Sequence, residues 1–115
     1  MTQTPSHDPN CPVRVILKIL GGKWKTLIVY SLLDGTRRFN ELRRMMPNVT
    51  QRMLTSQLRE LESDGIITRT VYAQIPPKVE YHLTEIGHEI KPVLKQLEEW
   101  GESYIRKVGV IKNEK

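Results

Sequence analysis

The chain has 115 residues and a net charge of +5, and this length suffices for one domain with a modest core but not for two. No run of about 20 apolar residues and no signal-peptide pattern occurs, which argues against a membrane-spanning helix and against secretion. The single cysteine excludes an internal disulfide and fits a reducing compartment. We therefore expect a cytoplasmic protein with a disordered leader over residues 1–10, one domain over 11–108 and a flexible tail over 109–115.

The first predicted helix spans residues 12–20. Proline is favoured at the first helical position, so Pro12 fits the start of this helix. Apart from Arg14 and Lys18 the helix is apolar, and a helix this apolar must be covered on more than one side. Either the core of the domain or a second subunit is expected to cover it.

Two further helices follow the Gly21-Gly22 break, over residues 23–33 and 40–46. Asp34-Gly35 ends the first of them, and Pro47-Asn48 forms a turn after the second. The side chains expected to face the core are Trp24, Leu27, Ile28, Leu32, Leu42 and Met45.

The fourth predicted helix lies between Thr50, its expected N-cap, and Gly65. Three leucines at helical spacing, Leu54, Leu58 and Leu61, form one apolar stripe. The opposite face can donate hydrogen bonds and is positively charged, which suits base edges and phosphates. Its residues are Gln51, Arg52, Thr55, Ser56 and Arg59. A short helix, a tight turn and a longer helix of this kind form the helix-turn-helix pattern, although a polar face alone is more often simply solvated.

The positive charge is concentrated around this helix. Residues 36–59 contain six arginines and one glutamate, a net charge of +5 that equals the net charge of the whole chain. Arginine binds phosphates and base edges in a planar fork better than lysine does. A patch of this kind indicates a polyanionic partner.

Two strands are predicted after the fourth helix, over residues 66–75 and 79–83. The first is rich in β-branched residues, and the second alternates apolar and polar positions. Pro76-Pro77-Lys78 forms a stiff turn between them, so the ribbon is expected to have a basic tip at Lys78. The predicted fold class is therefore α+β, mainly α: a winged helix-turn-helix with a two-stranded β-wing and a DNA-binding core over residues 23–84.

A long last helix is predicted over residues 85–108, capped by Thr84 and kinked at Pro92 near its second turn. Its apolar residues recur at nearly 3.5-residue spacing, with Gly101 in the seam. Because so small a domain cannot cover this surface, we predict a homodimer built from the first and last helices. The expected interface residues are Val13, Ile16, Leu17, Leu20, Leu94, Leu97, Trp100 and Tyr104.

Signals for catalysis are weak. His7, His82 and His88 lack metal-ligand spacing with Cys11, Gly21-Gly22 is not part of a phosphate loop, and no serine lies in a nucleophile elbow. We expect no enzyme activity, no metal and no cofactor.

Cys11 has two interpretations. A free cysteine is usually a small packed thiol. Alternatively Cys11 is a redox sensor, because a helix N-terminus stabilises a thiolate and Arg14 lies one turn further on. Accessibility of the thiol decides between these possibilities.

Several segments together resemble one protein family. They are CPV at 11–13, GGKW at 21–24, RFNEL at 38–42, RMLTSQLRELESDGII at 52–67, PPKVEYHLT at 76–84 and LEEWG at 97–101. In this combination the chain resembles the HxlR family of bacterial and archaeal transcriptional regulators, which are winged-helix proteins related to the MarR regulators. The resemblance covers about residues 11–101.

The resemblance implies a homodimer that binds a pseudo-palindromic operator. It also implies a cysteine before the first helix that responds, in some members, to oxidants, quinones or other electrophiles, and Cys11 occupies that position. Other members respond to different signals. Since the chain has no second cysteine, a disulfide would have to form between subunits or with a small thiol.

The predicted function is sequence-specific binding of double-stranded DNA, most simply repression by exclusion of RNA polymerase, with activation left open. Gln51, Arg52 and Thr55 are expected to reach bases, with Ser56 and Arg59 on the same face. The expected phosphate contacts are Arg37, Arg38, Asn40 and Arg43. Lys78 is expected to reach the flanking minor groove or its backbone.

Two alternatives remain open on the sequence. A winged-helix module can bind protein instead, with the arginine patch meeting an acidic partner. A regulator of the same fold can respond to a small molecule in a pocket between the core and the last helix, with Trp24, Tyr30 and Trp100 as candidate lining residues.

Overall fold

The computed structural model describes residues 8–110, so residues 1–7 of the expected leader (1–10) and residues 111–115 of the expected tail (109–115) lie outside it. Residues 8–10, the last three of the expected leader, form a turn in which the Asn10 N–H donates to Asp8 Oδ1 at 2.8 Å. No helix within residues 8–110 is both long and apolar enough to cross a bilayer. In chain order, the elements are α1 (Pro12–Leu20), α2 (Lys25–Leu32), β1 (Arg37–Arg38), α3 (Phe39–Met45), α4 (Gln51–Ser63), β2 (Ile67–Tyr72), β3 (Lys78–Leu83), α5 (Glu85–His88) and α6 (Lys91–Lys107).

One hydrophobic core joins α2, α3 and α4 to the sheet and to the start of α6. Two core predictions were wrong, because Leu27 and Met45 are exposed. Leu27 lies on the solvent side of α2 with Tyr30, three residues further on, while the 24, 28 and 32 positions are buried. At the end of α3 the helix stops at Met45, and the non-helical backbone of Met46 places that residue in the core instead.

The sheet has three antiparallel strands in the order β1-β3-β2, so the prediction of a two-stranded ribbon was incomplete. The third strand is the Arg37-Arg38 pair, which aligns with Tyr81 and Glu80 on β3. The Arg37-Arg38 segment therefore leads straight from the sheet into α3. The prediction of a winged fold that is mainly helical is confirmed.

The predicted single C-terminal helix is two helices, α5 and α6. Thr84 caps α5 as expected, because its Oγ1 accepts from the Gly87 N–H at 3.1 Å. Pro92 does not kink a long helix but lies in the first turn of α6, where its missing N–H costs nothing. The short α5 packs closely on the start of the sheet, since a Cβ on Gly87 would lie 2.3 Å from the Ile66 carbonyl oxygen.

Much apolar surface on α1 and α6 is exposed in the single chain. All nine residues of α1, whose bounds match the prediction, are exposed or half-buried. Leu94 is the exception among the expected interface residues on α6: at 3% exposure it belongs to the core of its own chain. Leu20 also packs partly against that core. The expected interface residues that stay exposed are Val13, Ile16, Leu17, Leu97 and Trp100, with Tyr104 half-buried against Trp100.

Candidate DNA-binding surface

The start of α4 is fixed by local backbone chemistry. Thr50 is the N-cap, and its Oγ1 accepts from the Met53 N–H at 3.0 Å, as predicted. Before it, Asn48 adopts a positive φ of 81° and Val49 is buried, which sets the direction of the turn from α3 into α4. This geometry satisfies one of the free N–H groups at the helix start and orients its first turn.

The orientation of α4 is fixed by packing on α2. Leu54, Leu58 and Leu61 are buried, as their spacing predicts. An ion pair adds to this packing, because the Lys25 ammonium of α2 binds the Glu60 carboxylate of α4. Lys25 is only 7% exposed, so its charge depends on Glu60 for compensation.

The face of α4 opposite the leucines is open to solvent. Gln51, Arg52, Ser56 and Arg59 are exposed, whereas Thr55 is half-buried. These five side chains line one shallow groove along the helix together with Glu60. The structure therefore brings all five of the expected reading residues together on one surface.

The expected phosphate contacts differ in their surroundings. Arg38, Asn40 and Arg43 are exposed, and the Arg38 N–H donates to Glu41 Oε1 at 2.7 Å at the start of α3. Arg37 is half-buried, and its Nε donates to the Ser31 carbonyl at the end of α2 at 3.2 Å. Arg37 thus has a structural contact that the sequence did not predict.

A cleft between α3 and the wing extends the basic surface. We call it the α3–wing cleft. Its lining residues are Thr36, Arg38, Phe39, Asn40, Glu41, Arg44, Pro77, Lys78, Val79 and Glu80. Arg44 was not among our site residues, although its place in the 36–59 arginine patch was a signal for it. The cleft shows that the tip end of β3 and the basic side of α3 share one surface.

Arg69 on β2 is a second residue that sequence reasoning missed. It pairs with Tyr81 in the sheet register and lines a groove beside α4 with Arg59 and Thr55. Burial raises the pKa of the Tyr81 hydroxyl, and the neighbouring Arg69 guanidinium opposes that rise. The two-residue period of β2 places Arg69 on the same face as the buried Ile67, and a charged residue at such a position was the signal for it.

Lys78 does not lie at the tip of the wing. It is the first residue of β3. Its ammonium lies 3.6 Å from Glu80 Oε2 and 4.6 Å from the centre of the Tyr72 ring. A hydrogen bond to Glu80 also raises the pKa of the Tyr72 hydroxyl, so the Glu80 carboxylate interacts with both Lys78 and Tyr72. The prediction of a basic tip was therefore wrong, and the tip consists of residues 73–77.

Cys11 precedes α1 and is 6% exposed in the single chain. Its N–H donates to the Asp8 carbonyl at 2.9 Å, and its own carbonyl accepts from Val15 at 3.0 Å. Of the residues suggested to line an aromatic pocket, Trp24 is buried in the core while Tyr30 and Trp100 are exposed. Within residues 8–110, no three His, Cys, Asp or Glu side chains are arranged to hold a metal ion.

The order of helices and strands, the capped α4 and the three-stranded wing define a winged helix-turn-helix protein. The chain belongs to the HxlR-like helix-turn-helix family, because the sequence model of that family matches residues 19–108. The predicted family is therefore confirmed.

Relatives and solved structures agree with this assignment. An HTH-type transcriptional regulator of Bacillus subtilis, YybR, is 55% identical over 106 residues, which cover 90% of this chain and 85% of the relative. The redox regulator HypR in its reduced form superposes with a TM-score of 0.80 at 58% identity, over 84% of this chain and 95% of HypR. Its oxidised form gives a TM-score of 0.77 at 59% identity, over 81% and 96% of the two chains.

Proposed function

We propose that this protein is a homodimeric transcriptional regulator that binds a pseudo-palindromic DNA operator and represses by excluding RNA polymerase. The observation that carries the proposal is the exposed face of α4. It presents five polar and basic side chains and belongs to the arginine-rich segment 36–59. The likeness to named transcriptional regulators supports it. The alternative is activation from the same operator, and a reporter assay of promoter activity would distinguish it from repression.

In the proposed complex the two α4 helices enter successive major grooves about 34 Å apart. Arg52 can fork onto guanine, Gln51 onto adenine, and Thr55 near the same end of the helix can bond either base. Arg38, Asn40 and Arg43 would contact phosphates and fix the register. Arg37 would contribute only the part of its guanidinium that is not bonded to Ser31.

Selection of DNA sequences by the purified protein, followed by gel shifts near physiological salt, tests this proposal. Arg52→Ala should weaken operator binding by about 1–3 kcal/mol and relax base preference at the contacted position. Arg106→Ala removes the same charge from the exposed last turn of α6 and is the matched control. An equal loss on operator and random DNA would make Arg52 a phosphate contact. Failure of the parent protein to select any sequence would favour a protein-binding module instead.

The proposed dimer is supported by the apolar side chains that α1 and α6 leave exposed. Leu17 on α1 is 63% exposed and Leu97 on α6 is 56% exposed. A second copy would remove this surface from water, which is the main driving force for protein association. Leu17→Glu and Leu97→Glu should shift the sedimentation profile from dimer toward monomer. Val71→Glu, on the exposed wing, should leave it unchanged.

We also propose that Cys11 makes operator binding sensitive to oxidants. The likeness to the HypR structures and the place of Cys11 before α1 support this role. Because the thiol is buried, its oxidation would require a local opening of the chain near Asp8. Diamide would take up two hydrogens as two thiols join, either Cys11 from both subunits or Cys11 and a small thiol.

Titration of operator binding with diamide, in parent and Cys11→Ser proteins, tests this part separately. The parent should lose or change operator binding as diamide rises, while Cys11→Ser should keep it. An equal response of both proteins would exclude Cys11 as the sensor and leave the DNA-binding function standing.

A further inference from the structure

The tip of the wing carries an exposed apolar side chain. Ile75 is 99% exposed, the most exposed large hydrophobic residue within residues 8–110. Pro76 and Pro77 follow it and also face solvent. A single exposed hydrophobic residue is unremarkable by itself. Its position at the end of a projecting ribbon, rather than on a broad face, raises the question of what it contacts.

The wing around Ile75 cannot attract phosphates strongly. Residues 70–77 contain no charged side chain. The nearest cation, Lys78, lies 3.6 Å from the Glu80 carboxylate and over the Tyr72 ring, so this pair contributes no net charge. Any contact that the tip makes with DNA must therefore come from uncharged groups and be independent of counterion release.

The tip end of the wing belongs to the same surface as the arginines of α3. Pro77 and Lys78 line the α3–wing cleft together with Arg38 and Arg44. A duplex whose phosphates met those arginines, with α4 in its major groove, would pass along the wing. The groove adjacent to the occupied major groove is a minor groove, into which an extended two-stranded tip can reach.

We propose that Ile75 is an apolar wedge that enters the minor groove flanking each half-site and bends the DNA there. This inference rests on the proposed operator binding and assigns one residue a role in shape readout. Apolar side chains such as isoleucine and proline insert at base steps in the minor groove and bend the duplex toward the major groove. Ile75 would therefore contact a deformable base-pair step beside the half-site, and sequence specificity would arise at base pairs that α4 does not touch.

Two consequences distinguish a wedge from a basic wing. The contribution of Ile75 to affinity should be the same at low and high salt, because no ion is released. The contribution should also depend on the flanking sequence, being larger where a flexible pyrimidine–purine step lies under the tip.

The test compares Ile75→Ala with Ile86→Ala, which removes the same atoms from an isoleucine that is 58% exposed on α5. Operator affinity is measured at three salt concentrations, and the bend is measured by energy transfer between dyes at the two ends of an operator fragment. Ile75→Ala should bind about tenfold more weakly with an unchanged salt slope and a smaller bend. Ile86→Ala should match the parent in both measurements.

The outcomes separate this inference from the function beneath it. If the parent binds its operator selectively and Ile75→Ala binds and bends it equally well, the wedge is refuted while the proposed function stands. A loss of affinity without a change in bend also refutes the wedge. If the parent selects no DNA sequence, the proposed function fails and the inference fails with it.

Discussion

The ion pair between Lys25 and Glu60 yields the most specific prediction about how α4 is held in position. Lys25 lies on α2 and is buried, whereas the Glu60 side chain is 53% exposed. The two partners are therefore not equivalent. Removing the glutamate leaves a buried ammonium group, while removing the lysine leaves a carboxylate that water can solvate.

The expected costs follow from this difference in exposure. Breaking a fully buried pair costs about 3–5 kcal/mol, and breaking an exposed pair costs about 0–1 kcal/mol. Since water reaches only the Glu60 end, Glu60→Gln should cost about 1–2 kcal/mol of the free energy of unfolding. Lys25→Met replaces the buried chain by an apolar one of similar length and should cost less than about 1 kcal/mol.

Urea unfolding of both single variants and the double variant measures these free energies. A loss of 1–2 kcal/mol corresponds to a midpoint shift of roughly 1 M for a domain of this size. All proteins must be compared at one protomer concentration, because a dimer gains stability with concentration. Glu62→Gln removes the same charge from the exposed side of α4 and is the matched control.

Two results would contradict the reasoning. If Lys25→Met were more destabilising than Glu60→Gln, the buried lysine would not be the partner that depends on compensation. If Glu60→Gln and Glu62→Gln cost the same, the loss would reflect the helix charge in general and not this ion pair.

Three further variants probe the supports of the fold. Gly87→Ala should destabilise the protein by about 2 kcal/mol or more, since its Cβ would lie 2.3 Å from the Ile66 carbonyl oxygen, and urea unfolding would show this. Thr50→Ala should cost about 1 kcal/mol by removing the acceptor for Met53, and it should weaken operator binding because the first turn of α4 frays. Leu94→Ala should cost about 2–5 kcal/mol of stability at any protein concentration, because this side chain is in the core of its own chain.

Each of these variants has a matched partner. His88 is exposed and follows Gly87, so His88→Ala should leave the free energy of unfolding nearly unchanged. Thr50→Ser keeps the capping oxygen and should behave like the parent. Leu97→Ala removes an exposed leucine from the same helix as Leu94, so its effect should vary with protein concentration. A loss for Leu94→Ala that disappears at high concentration would place Leu94 at a subunit interface after all.

Features set by short-range chemistry were predictable from the sequence. The start of α1 follows from Pro12, and the starts of α4 and α5 follow from Thr50 and Thr84 as capping residues. The end of α4 follows from Gly65, whose positive φ of 78° suits glycine. In each case the residues that decide the boundary lie within one turn of it.

Features set by contacts between distant segments were not predictable in the same way. Arg37-Arg38 has no sequence signal for a strand and becomes one because the free edge of β3 is beside it. The break between α5 and α6 accompanies the close approach of Gly87 to Ile66. The period of α6 identified an apolar stripe but could not say that Leu94 faces its own core while Leu97 faces outward.

The candidate site shows the same division. The exposed face of α4 follows from the helical period alone, so the exposure of Gln51, Arg52 and Arg59 is predictable from the sequence. The charge of the wing does not follow from a local pattern, because it depends on the ion pair between Lys78 and Glu80, two residues apart on the same face of β3. A lysine beside two prolines indicated a basic tip, whereas in the folded wing Glu80 compensates that charge and Ile75 is the exposed side chain.

The ion pair also explains how an acidic residue can border a surface that is proposed to bind DNA. Glu60 lines the groove along α4, where an uncompensated carboxylate would repel phosphates. Its contact with Lys25 neutralises that charge from the core side, so the groove keeps the positive charges of Arg52 and Arg59. The same contact stabilises the packing of α4 on α2. Glu60→Gln should therefore lower stability, and because it leaves the Lys25 charge uncompensated next to the groove, the operator affinity of the folded protein should be at least that of the parent.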